Sequence, residues 1–278
     1  MTRRQLLGYL ATVSVIWSGC ASTPLTSRRQ LMFLSPDAEA RLGLQAYRDF
    51  LSAVRQRGRR TIEQGSSPEA DRMHERVSEV FSRVVKASGW DRRYQWEHTI
   101  IDEPKTINAG IYPGGKMVMF SGMLNFAESD DKLAAVIGHE VGHAIARHGG
   151  ERFSQVMAAQ LTETSLGLAL ASSRSAPYVH AAFGLGVTFG VLLPYSRLHE
   201  TEADYIGLIL AAKGGYDPRA AVELWERMER EKGSRIPEFM STHPAPGTRA
   251  RQLTKWMPEA LQYRHDPYRP LPLGLPGS

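Results

Sequence analysis

The stretch AAVIGHEVGHAIARHGG, Ala134 to Gly150, decides how the rest of the chain is read. Its Ala, Val and Ile residues suit a packed helix, yet His139, Glu140 and His143 stand in the middle of it. On an α-helix, residues four apart are turned by about 400° and share one face, roughly 6 Å apart along the axis. His139 and His143 can therefore aim imidazole nitrogens at one point, and a zinc ion held at about 2.0–2.1 Å from each nitrogen suits that spacing. Glu140 lies about 100° round, at the edge of the same face. It is displaced for an ideal third ligand but well placed to hold a water and take its proton. An accidental pattern would bury three polar groups in an apolar helix at a cost. His148 is about 500° round from His143 and faces to the side. It reads as a surface residue near the negative end of the helix.

Two imidazoles do not complete a catalytic zinc site; a third protein ligand is needed, with one position left open. The segment PYSRLHETEADYIGLILAAKGG, Pro194 to Gly215, offers Glu200 and Asp204 four residues apart on one helical face. Glu200 is taken as the third ligand, with His199 as its competitor. Asp204 would accept a hydrogen bond from a ligand imidazole and fix its tautomer. Glu202 points about 200° away from Glu200 and reads as a solvent or salt-bridge residue.

Around these segments the pattern is mainly helical. Pro36–Arg57 and a helix capped by Ser67, opened by Pro68 and closed by Gly89 come first. β-forming residues follow, with Pro113–Gly115 as a turn between Ile107–Tyr112 and Lys116–Phe120. They predict a small antiparallel sheet of about three strands. From Glu128 onward helices predominate: Glu128 to Gly149–Gly150, Arg152–Ala171, Tyr178–Leu193, Glu200–Lys213, Pro218–Lys232 and Gly247–Trp256. The fold class is mainly α with a small antiparallel β-sheet, an α+β chain. The apolar run within Tyr178–Leu193 falls short of the ~20 residues of a membrane span, and Pro194 ends it.

HEVGH followed about sixty residues later by ETEAD resembles the gluzincin zinc metalloendopeptidases of the HtpX-like and CAAX-prenyl-protease family. INAGIYPGGKMVMFSGML, from Ile107, resembles the family's Asn-Ala strand, turn and returning strand. STHPAPGTR, from Ser241, resembles its downstream His-Pro element. The resemblance runs from about Asn108 to Arg249. Without convincing spans or helical repeats, the chain is similar to the family's soluble periplasmic lipoprotein branch (LoiP-like and BepA-like), with kinship to mitochondrial inner-membrane stress proteases.

The resemblance implies a zincin-type fold, one zinc ion, and peptide hydrolysis with Glu140 as the base. It places His243 near the metal as either an oxyanion stabiliser or a latency switch, with Arg249 supporting the same region. Asn108 and Ala109 would belong to an edge strand that pairs with an extended polypeptide substrate. Misfolded or membrane-associated proteins of a cell envelope are the implied substrates. A chaperone-like outer-membrane assembly factor with a latent metal site is the alternative.

The amino terminus bears on location. MTRRQLLGYLATVSVIWSGCAS has a basic start, an apolar run, and then Ser18, Gly19 and Cys20, resembling a lipoprotein export signal. Trp17 departs from that pattern, and TRRQLL also resembles a twin-arginine signal. Cys20 is the only cysteine, which suits lipid attachment. The expected organisation is a signal over 1–19, a tether over 20–35, one metallopeptidase domain over 36–257, and a Pro-rich tail over 258–278. The expected location is the periplasm, lipid-anchored, with the outer membrane favoured. The net charge of +5, of which Arg3 and Arg4 supply two, is too mild to point to a nucleic-acid partner.

Overall fold

The structure, a computed structural model, describes residues 20–170, 193–231, 243, 248–272 and 274. The export signal and most of the Tyr178–Leu193 helix therefore lie outside the described residues. The chain is mainly helical with small sheets, as expected. No helix among the described residues is long and apolar enough to cross a membrane.

Helix ends follow local chemistry. Helix α1 (Pro36–Gln56) is capped by Ser35, whose hydroxyl accepts from the Ala38 amide. Helix α2 (Pro68–Ser88) is capped by Ser67, accepting from the Ala70 amide at 3.1 Å, and Gly89 ends it in the left-handed region at φ 71°. Each such cap contributes about 1 kcal/mol. Helix α2 lays Val77, Val80, Phe81 and Val84 against the core.

The main sheet is built from β3 (Thr61–Ile62), β4 (Glu97–Ile101), β5 (Ala109–Tyr112) and β6 (Lys116–Phe120), in the order β3-β4-β6-β5. Pro113, Gly114 and Gly115 close β5 and β6 into the expected antiparallel hairpin, both glycines at φ 85°. In detail the sheet is mixed, because β4 pairs with β6 in parallel, His98 opposite Met117. All five residues of β6 are buried, so β6 takes a central place and β5 is pushed to the edge. The chain over 102–115, β5 included, provides the dozen or so residues a parallel crossover needs.

His98 on β4 sits 3.4 Å from His74 and edge-on to Phe81. Burial first, and then His74, push its pKa down to about 4. An unfolded His titrates near 6.5. The folded state therefore binds fewer protons between those values, and stability is lost as pH falls from about 6.5 towards 4. His98→Phe is expected to flatten the fall in melting temperature across that window. Parallel melting curves for the variant and wild type, offset but equally pH-dependent, would refute it.

The remaining helices are α3 (Ser121–Ala127), α4 (Asp130–Ile145), α5 (His148–Leu170), α6 (Leu193–Lys213), α7 (Arg219–Arg230) and α8 (Arg249–His265). Helix α4 is the axis of the fold, with α2, α6 and α7 packed around it. Ser129 caps it, and Asp130 and Asp131 lie at its positive end. Leu133, Ile137, Val141 and Ile145 are fully buried along it. It crosses α6 where Gly138 meets Gly207. A Cβ on Gly207 would stand 2.6 Å from the His139 amide nitrogen, and one on Gly138 would stand 2.6 Å from the Gly207 carbonyl oxygen. Two glycines let the backbones touch, and this brings the carboxylates of α6 to the imidazoles of α4.

Three expectations need correcting. Helix α4 stops at Ile145, not at Gly149–Gly150, because Arg147 turns to a left-handed φ of 59°. Arg147 is held there by Glu39, at 2.6 Å, and by the Leu34 carbonyl. Residues 20–35 are not a tether: β1 (Cys20–Ser22) and β2 (Arg29–Leu31) form a hairpin. Its Thr23, Leu25, Thr26 and Gln30 are buried, which ties it to the core. The Pro-rich tail does not begin at residue 258, because α8 runs through Pro258 to His265. Burial of Trp256, Ala260 and Tyr263 offsets the roughly 3 kcal/mol that an interior proline costs. The core thus extends beyond both expected domain limits, to Leu25 and Tyr263.

Candidate metal centre

Helices α4 and α6 bring His139, His143 and Glu200 to one point. The Nε2 atoms of His139 and His143 are 3.0 Å apart. The Glu200 oxygens lie 3.3 Å from His139 Nε2 and 3.4 Å from His143 Nε2. With His243, one donor atom from each of these residues falls within 4.8 Å of the others.

The site is built for a cation. Two imidazole lone pairs at hydrogen-bond distance repel unless a proton or metal stands between them. Oε2 of Glu200 and Oε1 of Glu140 are buried and make no hydrogen bond to any described residue. Burial disfavours an ionised Glu200, but contact with His139 overcomes it and holds the carboxyl down at about 2. Burial, reinforced by His139, His148, His243 and His199, keeps His143 neutral with a lone pair to offer. For His139, burial and Arg249 oppose protonation, yet Asp204 and Glu200 raise its pKa to about 9. Nitrogen and carboxylate donors in this number fit zinc.

The other predicted residues gather at the same place. Asp204 Oδ1 stands 3.1 Å from His139 Nδ1, on the far side of the ring from the convergence point. Arg249 grips both Asp204 oxygens with a forked guanidinium that lies over the Trp225 ring at 3.4 Å. Glu140, 1% exposed, has its Oε1 3.3 Å from His243 Nε2. A cleft of about 380 Å³ opens over the site. Asn108 and Ala109 line it together with Glu140, His143, Glu200 and His243. Its wall is β5, which pairs only with β6 among the described strands. Cys20 begins β1.

His148 is corrected from surface to interior. The break at Arg147 starts a new helix at His148 and swings its ring back, so that His148 Nδ1 stands 2.8 Å from His143 Nδ1. Its Nε2 stands 3.0 Å from Glu202. Burial first holds the His148 pKa down, to about 4, against the pull of Glu202. Glu202 is buried too, in a salt bridge: Arg28 from the β1–β2 loop donates to it at 2.7 Å and to Glu151 at 2.6 Å. Thr26 donates to the other Glu202 oxygen. His199 sits 2.9 Å from Glu151 and stacks on His148 at 4.3 Å. It is outside the group of metal donors. Sequence reasoning missed this second cluster. The crowding of His and Glu in HGGE and HETE, at 148–151 and 199–202, was the available signal.

A helix bearing two imidazoles and an acid, completed by a carboxylate from a second helix, defines a zinc metallopeptidase. The chain belongs to peptidase family M48, whose profile matches residues 71–257. The mitochondrial metalloendopeptidase OMA1 of Schizosaccharomyces pombe is 37% identical over 85% of this chain and 66% of its own length. The Arabidopsis thaliana mitochondrial metalloendopeptidase OMA1 is 39% identical over 66% of the chain and 35% of its own length. The β-barrel assembly-enhancing protease of Escherichia coli is 30% identical over 55% of the chain and 32% of its own length. The chain thus spans two thirds or less of these relatives.

These comparisons overturn the expected lipid-anchored periplasmic location, since the relatives matching most of the chain are mitochondrial.

Proposed function

We propose that the chain is a zinc-dependent endopeptidase acting on extended, partly unfolded or membrane-associated polypeptides. The observation that carries this is the convergence of His139, His143 and Glu200 beside Glu140, at the base of a cleft walled by the edge strand β5. The relatives' names, metalloendopeptidases and an assembly-enhancing protease, support protein substrates.

When bound, zinc supplies Lewis-acid polarisation and makes water more acidic. The residues do the rest. A substrate strand adds to the outer edge of β5 near Asn108 and Ala109 by main-chain pairing, which tolerates many sequences. Glu140 takes the proton from the attacking water as its oxygen bonds to the scissile carbon. It then delivers that proton to the departing amine as the C–N bond breaks. Asp204 keeps His139 oriented, and Arg249 keeps Asp204 in place. His243 stands as a fourth donor in this arrangement, the position of a latch. Once displaced towards the cleft, its N–H can face the developing oxyanion.

His139→Ala, His143→Ala and Glu200→Gln are each expected to lose bound zinc, read by elemental analysis of folded protein. Full zinc occupancy in Glu200→Gln would remove Glu200 from the ligand set. Preferential cleavage of unfolded over folded polypeptide checks the substrate reading.

A further inference from the structure

We propose that His148 is a positioning residue for the metal centre: it holds His143 in the tautomer that offers Nε2 to the ion, and Glu202 holds His148 in turn. The inference rests on His143 being a ligand, as proposed above.

The argument is one of donors and acceptors. Nε2 of His143 is aimed at the point shared with Glu200 and His139; as a ligand to the ion it must carry its lone pair on that atom, which leaves its proton on Nδ1. A buried N–H needs an acceptor. The group facing it is His148 Nδ1 at 2.8 Å, and that atom accepts only when the His148 proton is on Nε2. Nε2 of His148 faces a Glu202 oxygen at 3.0 Å, and a carboxylate accepts but does not donate. The tautomers are therefore set in sequence from Glu202 through His148 to His143.

The far end of this chain is fixed as well. Glu202 Oε2 receives Arg28 Nε at 2.7 Å, and its Oε1 receives the Thr26 hydroxyl. His148 is 4% exposed and Glu202 is 0% exposed, so water does not compete for these bonds. The His148 ring is also clamped by its stack on His199 at 16° between planes. His139 has an equivalent support in Asp204, held by Arg249. Each ligand imidazole thus has its own carboxylate, direct for His139 and relayed through His148 for His143.

The test compares His148→Leu, which removes the acceptor, with His148→Asn, whose side-chain oxygen can stand near the Nδ1 position. Zinc affinity is measured by chelator competition, and the cobalt-substituted proteins are compared by visible absorption. Outer hydrogen-bond partners of this kind change metal affinity by about 10–100-fold. His148→Leu is expected to lose affinity in that range and shift the cobalt bands, with His148→Asn within about threefold of wild type. Wild-type affinity and bands in His148→Leu would overturn the proposal. If the Leu variant does not fold by circular dichroism, the Asn variant decides. Retained affinity supports the proposal, and a loss of tenfold or more in folded protein overturns it. His143→Ala is run alongside. If it too keeps zinc, the ligand reading has failed; if it alone loses zinc, only the role of His148 has failed.

Discussion

Glu140→Gln is expected to lower kcat/KM for peptide hydrolysis by about 10²–10⁴-fold, the usual contribution of a positioned general base. Zinc content is expected to stay unchanged. The separation follows from geometry. The atoms that converge for the metal come from His139, His143, Glu200 and His243, and Glu140 is not in that set. Gln fills the same volume as Glu and hydrogen-bonds, so the buried helix keeps its packing, but an amide does not accept a proton from water. Zinc by elemental analysis and hydrolysis of an unfolded polypeptide decide the matter on the same preparation. Activity within a few-fold of wild type would mean that the water proton goes elsewhere, with His243, 3.3 Å away, the next group to examine. Loss of zinc together with activity would show that Glu140 is part of the ligand set.

Arg28→Ala is the second large effect. Its guanidinium reaches Glu151 and Glu202, both 0% exposed, from a side chain only 12% exposed itself. Burial raises the pKa of both carboxyls, but His148 and Arg28 hold Glu202 down at about 2, and His199 and Arg28 lower Glu151. Removing the cation leaves two buried carboxylates without it, and breaking such a pair costs about 3–5 kcal/mol. In a domain of this size that is a fall in melting temperature of roughly 10 °C. Arg28→Lys is expected to fall between the two, because an ammonium does not fork across two carboxylates. A melting temperature unchanged in Arg28→Ala would show that the hairpin is held by its apolar contacts alone. Combining Arg28→Ala with Glu151→Gln is expected to cost less than the sum of the single changes, since one uncompensated charge is gone.

What was legible in the sequence was what a single helix decides by itself. The spacing of His139 and His143, and of Glu200 and Asp204, follows from the turn of an α-helix, and the structure brings these residues together. The caps at Ser67 and Gly89 were equally local. What escaped depends on tertiary choices. His148 was placed on the flank because a continuous helix was extended through Arg147. A left-handed φ at an arginine leaves no trace in composition, being enforced by Glu39 from a distant helix. The parallel pairing of β4 with β6 was hidden behind a hairpin signal that was itself correct. The hairpin at 20–31 reads as a tether because it holds Pro24 and several Ser and Thr residues. Nothing near them in sequence shows that Thr26 and Arg28 reach Glu202. Helix α8 passes Pro258 because Trp256 and Tyr263 have a core to enter.

The clasp made by Arg28 also sets an order of events. Arg28 precedes Glu151 by 123 residues and Glu202 by 174. At synthesis rates of about 5–20 residues per second, it waits on the order of ten seconds or more for its second partner. Until α6 emerges, His139 and His143 have no carboxylate facing them, and Arg249, which grips Asp204, follows later still. Pairings this distant in sequence are slow to form, because loop closure precedes their reward. Convergence of the proposed ligands therefore waits on the synthesis of α6, and the grip of Arg249 on Asp204 closes last.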